Sequence, residues 1–374
     1  MKKKFRNYIH VWEIEGFVNI EKNFKDSIRN QLLLKYGSYQ KTSRIIGKIT
    51  GVSLSYFLRK EHSFMRINNL FRLTNALKIP NNIVERKIIK YRDHGAQQPF
   101  SIRFPFKINP LIIRIIAHIP GDGNIRKDGL ARWIQKDTRP MQILLKKLGF
   151  PIKISKSQPV CIPRFLVKVI CVSLDLQPGD LNSSKLIETI MKLPRRYQVQ
   201  TILALIEDEA TIDVNNYGII NIRLTNKDLI KSYGKLCDSL GYKRSNILKK
   251  TNTGFGKCNS IYQCGIYAEG IRRLNIDYKA TIRNFGKIVG LWKKDKTLRK
   301  RCKQALTKKA IKDNEGREIT NNILDLLEKF DNLMVKELCI LMKTDDYNRI
   351  YDRVKYLHKT AKIRRTSYGK YASV

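Results

Sequence analysis

The sequence predicts an α+β protein in which a twice-repeated unit of helices and hairpins lies between two helical units. Three observations predict it. The stretch IIAHIPGDGNI (115–125) has an echo in ILALIEDEATI (202–212), and the segments after each also correspond. Apolar residues three and four apart mark helices over 24–92 and again over 320–374. Of the 374 residues, 42% are hydrophobic, enough for packed cores rather than a disordered chain. The length suits two to four domains.

Charge narrows the partner. The 74 Lys and Arg against 32 Asp and Glu leave a formal charge of +42, far beyond what solubility requires. A polyanion is implied, with nucleic acid first. No apolar stretch is long and uncharged enough to span a bilayer. The start MKKKFRNYIHVWEIEG has no apolar signal core or small-residue cleavage site, so a cytoplasmic protein without membrane contact is expected. Seven scattered cysteines without a CxxC pair, and five histidines apart from them, argue against a disulfide framework or a zinc finger.

Residues 1–95 are expected to form a helical domain. NFKDSIRNQLLLKYG, YQKTSRIIGKITG, SLSYFLRKEH and RINNLFRLTNALKIP read as successive short helices, the last ended by Pro80, and a helical bundle is the simplest account. The second and third pieces, with the turn around Gly51, resemble the helix-turn-helix of phage-repressor-type regulators, though with a longer turn. That resemblance implies that Ser53, Ser55, Tyr56, Arg59 and Lys60 lie on the helix that enters the DNA major groove. A domain that only packs on its neighbours is the plain alternative.

The repeat fills 105–190 and 191–280. Ala117 aligns with Ala204, Asp122 with Glu209, and Gly123 with Ala210. Downstream, LARWIQKDTRPMQILLKKLGF (130–150) matches INIRLTNKDLIKSYGKLCDSLGY (220–242): a strand pattern, then Lys136-Asp137 or Lys227-Asp228, then a helix closed by Leu-Gly-aromatic. Further strand-like segments come next, PIKISKS and FLVKVICVSL in the first copy, SNILKK and SIYQCGIYA in the second. Each unit reads as helix, hairpin, helix, hairpin, helix. Such a duplication suggests two halves about a pseudo-dyad, a monomer built like a fused dimer, and duplex DNA has a matching local dyad. The apolar run before each acid gives two or three helical turns. Ala117 and Ala204 would let those helices cross closely, with Asp122 and Glu209 delivered side by side.

Two carboxylates so placed repel, and one takes up a proton unless a cation lies between them. Mg²⁺ suits carboxylate and phosphate oxygens and assists phosphodiester cleavage. At these residues both stretches resemble the motif of the LAGLIDADG homing endonucleases in the two-motif, single-chain form, over roughly residues 105–280. The resemblance implies two αββαββα halves meeting at the motif helices and two sheets forming a saddle over the DNA major groove. It also implies Asp122 and Glu209 as Mg²⁺ ligands and catalytic acids. Lys136 and Lys227, after the first hairpin strand of each half, are the positions for the family's basic residue near the metal, with phosphate contact or plain surface lysines as the alternative. Arg132, Gln135, Arg223 and Thr225 are the expected base readers on the hairpins. Departures from the motif are Pro120, expected to kink the first helix, and Ala210 in place of glycine, expected to restrict the backbone. His118 is expected to be a buried, satisfied histidine, and Glu207 and Asp208 to support the site or face solvent.

Residues 281–319 include KKDKTLRKRCKQALTKKAIK, a basic helical linker that could add phosphate contacts. TNNILDLLEKF, MVKELCILMK and DYNRIYDRVKYLHKTAKI, then RRTSYGKYASV, resemble a winged helix over 320–374. Its third helix would present Tyr347, Arg349, Arg353 and Lys355 as a polar stripe, with Arg364, Arg365 and Lys370 on the wing. The expected activity is Mg²⁺-dependent, site-specific cleavage of double-stranded DNA by a freestanding or intron-encoded protein. An intein origin is disfavoured by the initial Met and the ending YGKYASV, which lacks a terminal Asn. The alternatives are a non-cleaving DNA-binding regulator on the same scaffold, or an RNA maturase that assists intron splicing.

Overall fold

A computed structural model describes residues 5–93, 98–155, 159–212, 220–251, 260–286, 318–330, 332–342, 344, 346–367 and 369–373. Helices and small antiparallel sheets alternate along the chain, an α+β arrangement. No helix among these residues is long and apolar enough to cross a membrane. Contacts divide the chain once, into Met1–Arg301 and Cys302–Val374. Most of the expected basic linker lies outside the described residues.

The N-terminal segment comprises β1 (Tyr8–Ile9), β2 (Phe17–Ile20), α1 (Lys22–Tyr36), α2 (Tyr39–Ile46), α3 (Gly51–Arg59) and β3 (Met65–Arg66). It continues through α4 (Ile67–Ala76), α5 (Asn81–Arg86), β4 (Ile88–Arg92), β5 (Phe100–Ser101) and β6 (Phe106–Lys107). The expectation of a purely helical bundle needs correction, because β3-β2-β4-β5 form an antiparallel sheet beside the helices. Strands of two to five residues are too short for apolar spacing to separate them from helix, and their central partner β2 precedes the helical run. β1 pairs with β6, and Lys168 bonds Asp93 at 2.5 Å, so the first hundred residues are tied to the repeat region of the same unit.

Local chemistry sets the α2–α3 corner. Ser38 Oγ accepts from the Lys41 amide and Thr50 Oγ1 from the Ser53 amide, capping the two helices. Between them Gly47 and Lys48 take positive φ values of 66° and 57°. A side chain at Gly51 would meet the Gln40 backbone at 3.2 Å, so glycine lets the two helices touch. α3 buries Leu54, Phe57 and Leu58. Its C-terminal end is held from below by Lys25, whose buried Nζ donates to the carbonyls of Lys60, Glu61 and Ser63 at 2.9–3.2 Å. Burial pulls that ammonium down to about 8.

Next come α6 (Pro110–Ala117), β7 (Gly123–Ile125), β8 (Ala131–Trp133), α7 (Arg139–Lys147), β9 (Val160–Ile162), α8 (Arg164–Leu174) and α9 (Ser184–Ile190). After these lie α10 (Arg195–Glu209), β10 (Ala210–Ile212), β11 (Ile220–Leu224), α11 (Lys227–Leu240), β12 (Leu248–Thr251), β13 (Ser260–Ile266) and α12 (Ala268–Phe285). From α10 onward the order is helix, hairpin, helix, hairpin, helix, with a sheet β10-β11-β13-β12. From α6 it begins the same way, but among the described residues the sheet is β7-β8-β9, one strand fewer. FLVKVICVSL, expected as strand, is helix α8. It is buried around much of its circumference at Phe165, Leu166, Val167, Val169 and Ile170, and so broad an apolar surface obscures the period.

Among the described residues, α6 and α10 pack on each other more extensively than any other helix pair, with Ala117 and Ala204 buried. Asn109 caps α6 through the amides of Leu111 and Ile112, and Pro110 occupies the first turn, where its missing N–H costs nothing. Pro120 does not kink α6. The helix ends at Ala117, and the chain tightens through His118 and Ile119, whose amides reach back three residues, before the proline is met.

The second unit holds α13 (318–329), β14 (Leu333–Met334), α14 (Val335–Leu341), α15 (Tyr347–Lys359), β15 (Ile363–Ser367) and β16 (Lys370–Ser373). β16 lies between β14 and β15, closing a three-stranded sheet. Ile323, Leu327, Leu338, Ile350, Val354 and Leu357 form its core.

Candidate functional site

Asp122 and Glu209 occupy equivalent places. Each is the last residue before the first strand of its sheet, β7 or β10, and each is half-buried. The preceding residues touch: a Cβ placed on Gly121 would lie 2.7 Å from Asp208 Oδ2 and 2.9 Å from Asp208 Cβ. Gly121 and Asp208 are counterparts in the repeat, so the two motif ends meet at matching positions directly before the two acids. The first needs glycine after its acid, because a side chain on Gly123 would fall 2.5 Å from Ile119 Cα. The second does not. Ala210 is plainly extended, at φ −91° and ψ 142°, and the expected backbone restriction there is absent.

Beneath this meeting point lies a buried polar cluster. His118 Nδ1 lies 2.8 Å from Asp208 Oδ2 with both side chains fully buried, and Trp133 Nε1 donates to Asp208 Oδ1 at 3.4 Å. Arg114 Nε donates to His118 Nε2 at 3.3 Å. Burial pulls the Arg114 guanidinium down to about 10, while the nearby charges of Glu207, Asp208 and Tyr278 oppose that fall. Burial also raises the Tyr233 hydroxyl on α11, reinforced by the charges of Asp208 and Glu209. His118 is thus a buried, bonded histidine, as expected. Glu207 and Asp208 are not solvent residues: Glu207 is buried, and the Asp208 carboxylate is fully enclosed. Two signals in the sequence announce the cluster, a single arginine in the apolar run PLIIRIIAHI, four residues before His118, and the Glu-Asp-Glu triplet itself.

Among the described residues no group of three or more His, Cys, Asp or Glu is arranged to hold a metal. A Mg²⁺ site need not have one, since Mg²⁺ commonly uses one or two carboxylates and takes its other oxygens from phosphate and water. Asp122 and Glu209 would offer such a site oxygen donors alone, of the hard type that Mg²⁺ takes.

The lysines are less symmetric than the sequence echo. Gly123 pairs with Trp133 and Ala210 with Ile222, so Asp122 lies across from Ile134, whose amide bonds the Asp122 carbonyl at 3.0 Å, and the same register extended by one residue sets Glu209 level with Arg223. Lys136 is then two residues beyond its acid's partner and Lys227 four, Lys227 being the first residue of α11. Both are exposed, and both come after the second strand of their hairpin rather than the first. By register, the counterpart of Lys136 is Thr225.

Strand alternation sorts the expected base readers. Arg132 faces outward between Asn124 and Cys161, Arg223 faces outward on β11, and Thr225, the residue after that strand, is exposed. Gln135 does not join them. It is half-buried past the end of β8, in phase with inward-facing Ala131 and Trp133. The outward face has members that sequence reasoning missed. Arg223 Nε donates to Gln263 Oε1 at 3.3 Å, Gln263 Nε2 donates to Asn221 Oδ1 at 2.9 Å, and Lys250 is exposed in the same phase on neighbouring β12, where Leu248 lies opposite Gln263. Arg, Gln and Asn are the side chains whose paired polar atoms match base edges.

On the α2–α3 corner, Tyr39, Gln40, Val52, Ser55, Tyr56, Arg59 and Lys60 line an open cleft of about 550 Å³. Four of the five residues expected on a reading helix thus share one surface with the start of α2, and Ser53 instead helps cap α3. In the second unit the expected stripe is divided. At 100° per residue, Arg349, Arg353 and Tyr356 fall on one side of the exposed arc of α15, and Tyr347, Tyr351 and Lys355 on the other. Arg353 lies over the Tyr356 ring at 5.4 Å, and Arg364, Arg365 and Lys370 are exposed on the terminal hairpin. Comparison of the chain with family models, with curated proteins and with solved structures finds no match.

Proposed function

We propose that this protein is a Mg²⁺-dependent, site-specific double-strand DNA endonuclease of the LAGLIDADG homing type. Its duplicated αββαββα core would be flanked by a helix-turn-helix and a winged-helix unit. One observation carries the proposal: the corresponding motif positions Gly121 and Asp208 are in contact, each directly before an acid that opens a sheet. The helix, hairpin, helix, hairpin, helix order after Arg195, and its near copy from Pro110, support the duplication. Mg²⁺ held by Asp122 and Glu209 would supply a polarised phosphate and an activated water. The chain's own part is to bring the two carboxylates to one point, exclude water beneath them through the Arg114–His118–Asp208 cluster, and grip the duplex. Lys136 would contact phosphate beside the site, and Arg132, Arg223 and Gln263 would read base edges. Arg59 and Lys60, with Arg349 and Arg353, would extend the footprint.

Incubation with a randomised DNA library and Mg²⁺ tests the cleavage. Specific binding without any cut would favour the non-cleaving regulator. Binding itself is expected to be steeply salt-dependent, since neutralising six to ten phosphates loses roughly 10³- to 10⁵-fold in affinity between 50 and 200 mM salt. A salt titration with a nearly flat slope would contradict any nucleic-acid function.

A further inference from the structure

The outer face of α15 carries a feature that groove reading does not require. Tyr347 and Tyr351 are exposed at 42% and 41%, and their rings lie parallel within 14° at a centroid spacing of 6.2 Å. They are one helical turn apart, and Lys355 and Lys359 continue the same row at four-residue steps, both exposed. Ile350, Val354 and Leu357 hold an adjoining face of the helix in the core, while all four residues of the row stay exposed. Charge has the sign that a phosphate backbone needs: residues 346–373 hold eight Lys and Arg against two Asp, and Asp352 is the single acid within α15.

Exposed aromatic faces beside a line of cations are the means by which proteins hold unpaired nucleic acid, with bases stacking on the rings and phosphates meeting the cations. In a paired duplex the base faces are covered, and only the edges are offered to a helix in the groove. Resting on the nucleic-acid reading above, we propose that Tyr347 and Tyr351 form a stacking site for unpaired nucleobases, with Lys355 and Lys359 tracking the strand's phosphates. The second unit then holds a single strand, whether a frayed or cut DNA end or an RNA segment, while the first unit engages duplex.

The test uses the full chain and three labelled probes in fluorescence anisotropy: oligothymidine, oligouridine and a blunt duplex. Alanine at both Tyr347 and Tyr351 is expected to weaken binding of the tighter single strand by about tenfold or more, with duplex affinity held within about twofold. The Tyr347→Phe, Tyr351→Phe pair keeps the rings and is expected to bind like the wild type. Comparing oligothymidine with oligouridine identifies which source of bases the site prefers. Single-strand affinity unchanged by the alanines, or duplex and single-strand affinity falling together, would overturn the proposal. A wild-type protein that binds duplex but no single strand also overturns it while leaving the endonuclease reading intact, whereas one that binds neither overturns both.

Discussion

Replacing Asp122 by Asn, or Glu209 by Gln, is expected to abolish DNA cleavage while leaving specific binding nearly unchanged. Either change keeps the size of the side chain and removes the charge that would hold a divalent cation. Outer partners of metal ligands already cost about 10- to 100-fold when mutated, so loss of a direct ligand should cost at least about 100-fold in rate. The structural cost should be small, because both residues are half-buried at helix-to-strand junctions rather than set in the core. Single-turnover cleavage and gel-shift affinity, measured on the same preparations, separate the two effects. Cleavage that survives in both variants would remove these acids from the chemistry.

Asp208→Ala is expected to have the largest effect on stability of any single change at the site. The carboxylate is fully enclosed, accepts from Trp133 and pairs with His118, which in turn accepts from a fully buried arginine. Removing one partner from such a buried set leaves the others desolvated without compensation, at about 3–5 kcal/mol. Asp208→Asn, which retains an oxygen acceptor, should cost less. Denaturant unfolding measures both. A loss below about 1 kcal/mol for the alanine variant would mean that the cluster does not hold the two motif helices together.

Part of this architecture is legible in the sequence through the echo of 115–125 in 202–212. That echo aligns Asp122 with Glu209, and the structure puts each directly before the first strand of a sheet. The caps at Ser38, Thr50 and Asn109 lie at helix starts where side-chain acceptors meet free amides. Features that escape a sequence reading have a common cause in tertiary contact. β3 and β4 become strands through a distant partner, β2, and α8 is apolar on so many sides that alternation and helical spacing look alike. Lys227 matches Lys136 by its neighbours in sequence, yet the ladder register places it two residues farther from its acid. Glu207 and Asp208 mislead for the opposite reason. Carboxylates usually face water, and here a buried arginine and histidine from the facing helix offset that preference.

Sharing of one divalent cation by Asp122 and Glu209 is best probed with Mn²⁺, a hard ion that prefers octahedral oxygen ligands and is visible by electron paramagnetic resonance, titrated into the protein bound to duplex. Mn²⁺ binding that weakens tenfold or more in Asp122→Asn and in Glu209→Gln alike, with Lys136→Ala left close to wild type, is the result expected. Mn²⁺ affinity unchanged by either acid substitution would contradict it.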